Sequence, residues 1–280
     1  MLAEPRDLGE PLAVAQLSLP ELLLALMVQH GHPGQSPYSR ELVPECGTDP
    51  KTPSCELAPA CAEPSASCRA PAYSAVRGGW VRVETRTRAL SRFAGIAKAL
   101  AGTSSRLMAC GAPDCEPLGW PGTARTLALA TLTVVLHESG LREDIQFGHP
   151  PLGRGPNREA CLVQVALDQG PRVASWLLPD ERARVLADPA RREAFASSLL
   201  GDDPDALGRC FEVGMRLLAR ARRGCGAAGV AWDYGMFSSY GGGRSCRVPP
   251  IGQTRTKTFR TLAAGRPRSS PEFAALLGDP

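Results

Sequence analysis

LALATLTVVLHESG, residues 127–140, is apolar on nearly every helical face from Leu127 to Leu136. A helix on a protein surface carries a polar stripe at 3.6-residue spacing; one that is apolar all round lies in the interior. Thr123 stands where an N-cap is needed, so the spacing predicts a helix from there to about Ser139. Leu129, Leu132, Val135 and Leu136 face inward in this reading. The chain is therefore expected to wrap other helices around this one.

The flanking sequence agrees. Upstream, Leu90, Phe93, Ala97 and Leu100 recur at helical spacing, with Arg82, Arg86, Arg92 and Lys98 on other faces, which predicts a helix ending at Gly102. Residues 17–30 read as another helix, with Pro20 in its first turn. Downstream, Asp188 and Asp203 each precede a proline, the pattern of a cap followed by a first helical residue, and Gly201 follows the first of these helices. A last core helix is expected over 229–240, carrying Trp232, Phe237 and Tyr240. Strand signals are few, so the class is mostly α. Residues 1–77 are expected to hold the first helix and a Cys/Pro-rich irregular segment that includes CELAPACAEPSASC. Residues 78–246 are expected to form the main domain, and 247–280 a basic, loosely ordered tail with a short helix after Ser270.

Composition narrows the function. The net charge of +4 is spread along the chain. It favours approach to an anionic polymer but falls short of the basic patch that nucleic acid requires, so no nucleic-acid partner is expected. Ten cysteines and four histidines include no C-x-x-C pair. A structural zinc site needs tighter convergent spacing, so neither metal nor cofactor is expected. An even cysteine count suits disulfides in an oxidising compartment, periplasmic or extracellular. Glu4, Asp7 and Glu10 near the start, and the short apolar run Leu22–Val28, do not read as a signal peptide. No run reaches the about 20 apolar residues of a membrane span.

Several chemistries fall away on spacing. His137-Glu138 begins a zinc-protease H-E-x-x-H, but position 141 is leucine. There is no phosphate-cradling G-x-x-x-x-G-K-[ST], and Gly241-Gly242-Gly243 lacks the strand–turn–helix of a dinucleotide site. Glu138 stands out by its setting. A carboxyl at the C-terminal end of an apolar helix is partly desolvated and meets the negative end of the helix dipole; both effects raise its pKa, as a general acid requires. Taken alone, the same residue reads first as a solvated glutamate that ends a core helix.

Three short motifs in order bear on that choice: Glu138-Ser139-Gly140, then Cys161-Leu162-Val163-Gln164-Val165, then Phe237-Ser238-Ser239-Tyr240-Gly241-Gly242-Gly243. The order resembles the lytic transglycosylase family of the lysozyme superfamily, with its E-S, G-L-M-Q-[VI] and Y-N-x-G segments, over roughly residues 80–246. The resemblance implies a lysozyme-like helical domain that cleaves peptidoglycan glycan strands. Glu138 aligns with the catalytic acid, Gln164 with the glutamine that lines the sugar cleft, Tyr240 with the tyrosine that supports the acid, and Ser139 with the residue at the cleft floor; Gly243 closes the motif. It further implies that one residue acts twice. Glu138 protonates the oxygen between N-acetylmuramic acid and N-acetylglucosamine, then takes a proton from the muramoyl 6-hydroxyl, leaving a 1,6-anhydro sugar.

The chain departs from the family at Gly241, where asparagine is usual, at Cys161, where glycine is usual, and at Val163, where methionine is usual. These departures favour an alternative class, an inactive relative that binds cell wall. A hydrolytic mechanism needs a second carboxylate, for which Glu143, Asp144, Glu159 and Asp168 are the candidates, though each reads first as a surface charge. His137 points about 100° away from Glu138 and reads as packing. Trp232 reads as core, Trp176 as a possible sugar platform, and Arg142 and Arg154 as solvated or as partners for peptide-stem carboxylates.

Overall fold

The computed structural model describes residues 17–31, 73–76, 79–82, 84, 86–111, 116–148, 159–166, 188–241, 245–248, 250–267 and 270–277. The Cys/Pro-rich segment and Arg154, Asp168, Trp176, Gly242 and Gly243 lie outside these residues. The described elements run α1 (Leu19–His30), β1 (Tyr73–Val76), β2 (Gly79–Arg82), α2 (Arg86–Ala109), α3 (Ala124–Glu138), α4 (Glu143–Phe147), β3 (Glu159–Ala160), β4 (Val165–Ala166), α5 (Pro189–Ser197), α6 (Pro204–Ala227), α7 (Trp232–Gly241), α8 (Ile251–Ala264) and α9 (Pro271–Leu277). The class is mostly α; the strands form two small antiparallel hairpins, β1–β2 and β3–β4.

The all-apolar stretch sits at the centre. Every residue from Leu127 to Val135 of α3 is buried. Two of them are threonines, and each spends its hydroxyl on its own helix: Thr131 donates to the Leu127 carbonyl at 3.0 Å and Thr133 to Leu129 at 2.9 Å. Those bonds offset what burying a lone hydroxyl would cost. Thr123 caps the helix by accepting from the Thr126 amide, and Thr126 bonds back to the Thr123 amide. Helices α1, α2, α6 and α8 pack against α3.

Three sequence expectations need correction. Helix α2 does not stop at Gly102 but runs to Ala109. Gly102 faces solvent, and Thr103, Ser104 and Leu107 beyond it are buried, so tertiary contacts outweigh the roughly 1 kcal/mol a helical glycine costs. The basic tail is not loosely ordered across 251–264: it forms α8, with Phe259 and Leu262 in the common apolar cluster. Gly252 allows this approach, since a Cβ there would collide with Ser238 Oγ and lie 2.9 Å from the Tyr234 ring. Trp232 is 41% exposed, not core.

The first helix also joins the core. Leu22, Leu23, Leu24, Leu26 and Met27 of α1 are buried, and Ser18 closes the helix start with Glu21 in a reciprocal pair of hydrogen bonds. Elements from both ends of the chain thus share one core with the segment bounded by 78–246.

Candidate active site around Glu138

Helix α3 ends in a tight reversal. Ser139 and Gly140 both donate their amides to the Val135 carbonyl, and Gly140 and Leu141 take φ values of 57° and 59°. A buried leucine in the left-handed region is strained, so something must hold it. That something is Arg92 of α2. Its guanidinium donates to the Leu141 carbonyl at 2.7 Å, to Gln146 Oε1 at 2.7 Å and to both carboxylate oxygens of Glu84 at 2.7 Å. The end of α3, and Glu138 with it, is therefore tied to α2 and α4 by a buried polar cluster.

Glu138 itself is part-buried, its side chain 22% exposed, and Oε1 accepts from Arg255 Nη2 of α8 at 2.5 Å. Burial pushes its carboxyl above the ordinary carboxylate range; the Arg255 charge and hydrogen bond pull part of that back, and the Glu159 charge adds to the rise. Arg255 is almost fully enclosed, at 8% side-chain exposure, and its Nη1 is buried without an acceptor among the described residues. Its guanidinium carbon lies 6.0 Å from the centre of the Tyr240 ring.

Tyr240 of α7 does not reach Glu138 with its hydroxyl. It donates instead to the Val163 carbonyl at 2.8 Å. Burial drives its ionisation out of reach, and the negative charge of Glu138 adds to this, so the phenol is a fixed neutral donor. Val163 and Gln164 belong to the turn between β3 and β4. Cys161 and Gln164 both have positive φ, 59° and 49°, and Gln164 Nε2 donates to the Cys161 carbonyl at 3.1 Å. The turn is bonded to α6 through the Cys161–Cys210 disulfide. It also packs against Gly214 of that helix, where a Cβ would lie 2.9 Å from Val163 Cγ1.

Glu138, Arg255 and Tyr240 are therefore neighbours, and Tyr240 links them to Val163 and Gln164. Ser139 is not brought to an open face: it is 3% exposed and its hydroxyl donates to Val135 at 2.8 Å, bracing the helix end. His137 is exposed and meets Thr258 Oγ1 of α8 at 2.9 Å, so it bridges α3 and α8 rather than packing inward. Arg142 is spent on Asp144, at 3.0 and 2.8 Å.

Of the candidate second carboxylates, two are not surface charges as expected: Glu143 is buried beside Arg88 at 3.1 Å and Asp144 is buried in its pair with Arg142, because each has an arginine to offset its desolvation. Glu159 stands apart from both, since its charge reaches Glu138. An open groove of about 620 Å³ lies elsewhere, between α7 and α8, lined by Asp233, Tyr234, Thr256, Lys257 and Arg260 among others. It lacks Glu138, and its Asp233 is bound by Arg260 at 2.7 Å.

The residue that sequence reasoning missed is Arg255. Gly252, Arg255, Phe259 and Leu262 share one stripe at helical spacing in IGQTRTKTFRTLAA, which was the available signal for a helix that buries Arg255. No helix among the described residues is long and apolar enough to cross a membrane. Comparison with known proteins finds no matching family model, no matching curated protein and no matching solved structure.

Proposed function

We propose that this chain cleaves peptidoglycan glycan strands as a lytic transglycosylase of lysozyme-like fold, with Glu138 as the single general acid and base. The observation that carries the reading is that Arg255 stands between Glu138 and Tyr240, paired with the first and beside the ring of the second. Residues about a hundred positions apart thus share one neighbourhood at the partly open end of a buried helix, which supports the reading without a direct bond between the acid and the tyrosine. Burial raises the proton affinity of Glu138, and its remaining exposure leaves a face for substrate.

In this reading Glu138 gives its proton to the glycosidic oxygen as the bond to the anomeric carbon breaks. The carboxylate so formed removes the proton of the muramoyl 6-hydroxyl, whose oxygen closes on the anomeric carbon as a 1,6-anhydro ring. Tyr240 acts as a scaffold: its hydroxyl fixes the Val163 carbonyl, and so sets where Gln164 stands relative to the acid. The disulfides Cys161–Cys210 and Cys225–Cys246 suit the oxidising periplasmic or extracellular space in which peptidoglycan is met.

Glu138→Gln is the test. It is expected to abolish release of muropeptides from purified sacculi while leaving thermal unfolding within a few degrees of the parent; persistent cleavage refutes the assignment. Mass spectrometry of the products separates anhydro ends from reducing ends, and reducing ends would move Glu159 into the role of second carboxylate. One observation favours the alternative of a non-catalytic cell-wall-binding protein: Arg255 already occupies Glu138. Retained binding to sacculi with no product from the unaltered protein selects that alternative.

A further inference from the structure

Arg255 has an unused, enclosed donor beside its pair with Glu138. A guanidinium presents five N–H groups in a planar fork. Here Nη2 is engaged by Glu138, the guanidinium lies near the Tyr240 ring, and Nη1 is buried with no acceptor among the described residues. Buried donors on a charged group are very rarely left unmet in a finished site. Helix α8 is not free to withdraw the side chain, because Gly252 seats it against α7 and Phe259 and Leu262 anchor it in the core. Glu138 is the more open member of the pair, at 22% side-chain exposure against 8%, so a ligand that reaches Nη1 would pass its carboxylate.

We propose that Arg255 recognises a carboxylate of the glycan substrate and so makes cleavage depend on an acid-bearing strand. The inference rests on the reading of Glu138 as the acid. A substrate carboxylate that takes Nη1 and shares the guanidinium loosens the hold of Arg255 on Glu138. It also brings a like charge towards Glu138. Both changes raise the proton affinity of Glu138 at the moment it must carry a proton. The resting ion pair and an acid role are then compatible: Glu138 waits as a carboxylate held by Arg255 and becomes the acid when the correct substrate competes for that arginine. Two carboxylates on peptidoglycan have this chemistry, the lactyl acid of a muramic residue without a peptide and the acids of the peptide stem. Where a stem is attached, the lactyl acid is an amide.

The experiment uses the whole protein and three probes of equal glycan length: peptide-free strands of alternating N-acetylglucosamine and N-acetylmuramic acid, the same strands with stems, and a chitin oligosaccharide, which carries no acid. Binding is measured by calorimetry and cleavage by product chromatography. The unaltered protein is expected to bind at least one acid-bearing strand about tenfold or more tighter than the chitin oligosaccharide, the scale of one charge-assisted hydrogen bond. Preference for the peptide-free strand assigns the lactyl acid; preference for the stem-bearing strand assigns the stem. Arg255→Gln is expected to erase the preference, so that the ratio of affinities for acid-bearing and neutral strands falls to about one whatever happens to overall affinity. Arg255→Lys, which keeps the charge but loses the fork, is expected to retain part of it. Equal binding of all three probes by the unaltered protein overturns the proposal and needs no variant. So does an unchanged preference in Arg255→Gln. If the unaltered protein discriminates in binding but cleaves nothing, the catalytic reading fails and carboxylate recognition stands.

Discussion

Glu84→Gln tests whether the polar cluster behind the site holds the end of α3. Glu84 and Arg92 expose 1% and 4% of their side chains, so solvent does not screen the pair. The substitution leaves one oxygen to accept from Arg92 but removes the charge, stranding a buried guanidinium. Breaking a buried pair from one side costs about 3–5 kcal/mol. Gln keeps one acceptor, and Arg92 keeps Gln146 and the Leu141 carbonyl, so the lower end, about 3 kcal/mol, is expected. Against a total of about 5–15 kcal/mol for a typical domain, that is a large share. At roughly 2–4 °C per kcal/mol for a chain of this size, the midpoint of thermal unfolding falls by about 6–12 °C. Urea denaturation at neutral pH is the primary assay, repeated in 0.5 M salt. The loss should survive the salt, because buried charges are poorly screened. A loss below about 1 kcal/mol, or one that salt removes, would refute the reasoning. The partner that suffers should be the Leu141 turn, so, under the function proposed above, glycan cleavage should fall further than the unfolded fraction explains.

Two further outcomes are expected from other parts of the fold. Burial lifts the Glu143 carboxyl to about 7, against the pull of Arg88. A carboxyl raised in the folded state contributes most at low pH, and that contribution is lost as pH climbs from about 4.5 to about 7. Glu143→Gln should therefore flatten the fall in stability over that window and stabilise the protein at pH 8 by on the order of 1–3 kcal/mol, read by urea titration at several pH values; an unchanged pH profile would count against it. On α6, Gly214→Ala places a methyl 2.9 Å from Val163 Cγ1, whereas at Gly224 nothing lies within 4 Å. Overpacking at the first site, about 1–3 kcal/mol, exceeds the roughly 1 kcal/mol gained in helix propensity, while Gly224→Ala keeps the gain alone. The two alanines should shift the urea midpoint in opposite directions, and a shift in the same direction refutes the close approach of Val163.

What could be read in the sequence followed from local rules. The all-apolar face of α3 left it nowhere to go but the centre, and Asp188-Pro189 and Asp203-Pro204 mark helix starts because their chemistry is complete within a few residues. What could not be read depended on partners distant in sequence. Nothing within α2 says that Thr103 and Leu107 are covered and that Gly102 is therefore passed over. Arg255 reads as one more basic residue of a tail until Glu138, more than a hundred residues earlier, is set beside it. The position of Glu138 at the end of α3 was legible, as was the order of Gln164 and Tyr240 after it. That Ser139 turns inward and that Arg142 is already occupied by Asp144 follow from the αL turn and the pairing around it, which leave no periodic trace.

The departures from the family pattern take on a different weight once the β3–β4 turn is seen. Position 161, where the family commonly has glycine, has φ 59° here, a conformation that glycine takes freely and cysteine does not. The strain is held by attachment: Cys161 is bonded to Cys210, and Gly214, one turn further along α6, admits Val163 where any side chain would exclude it. From the other side Tyr240 grips the Val163 carbonyl from α7. The turn is thus fixed by two helices, one covalently and one by a neutral hydrogen bond. In this chain a disulfide and a close helix approach hold the turn that carries Gln164. Gly241 in place of asparagine removes a side chain at the end of α7, yet the register of that helix is already set by Tyr240 and by Ser238 facing Gly252. The turn at 161–164 and the end of α7 are therefore held without the residues that the family pattern has at 161 and 241. In the mechanism proposed above, Arg255 must yield Glu138 before a proton is transferred, so that pair is where the proposal meets its hardest test.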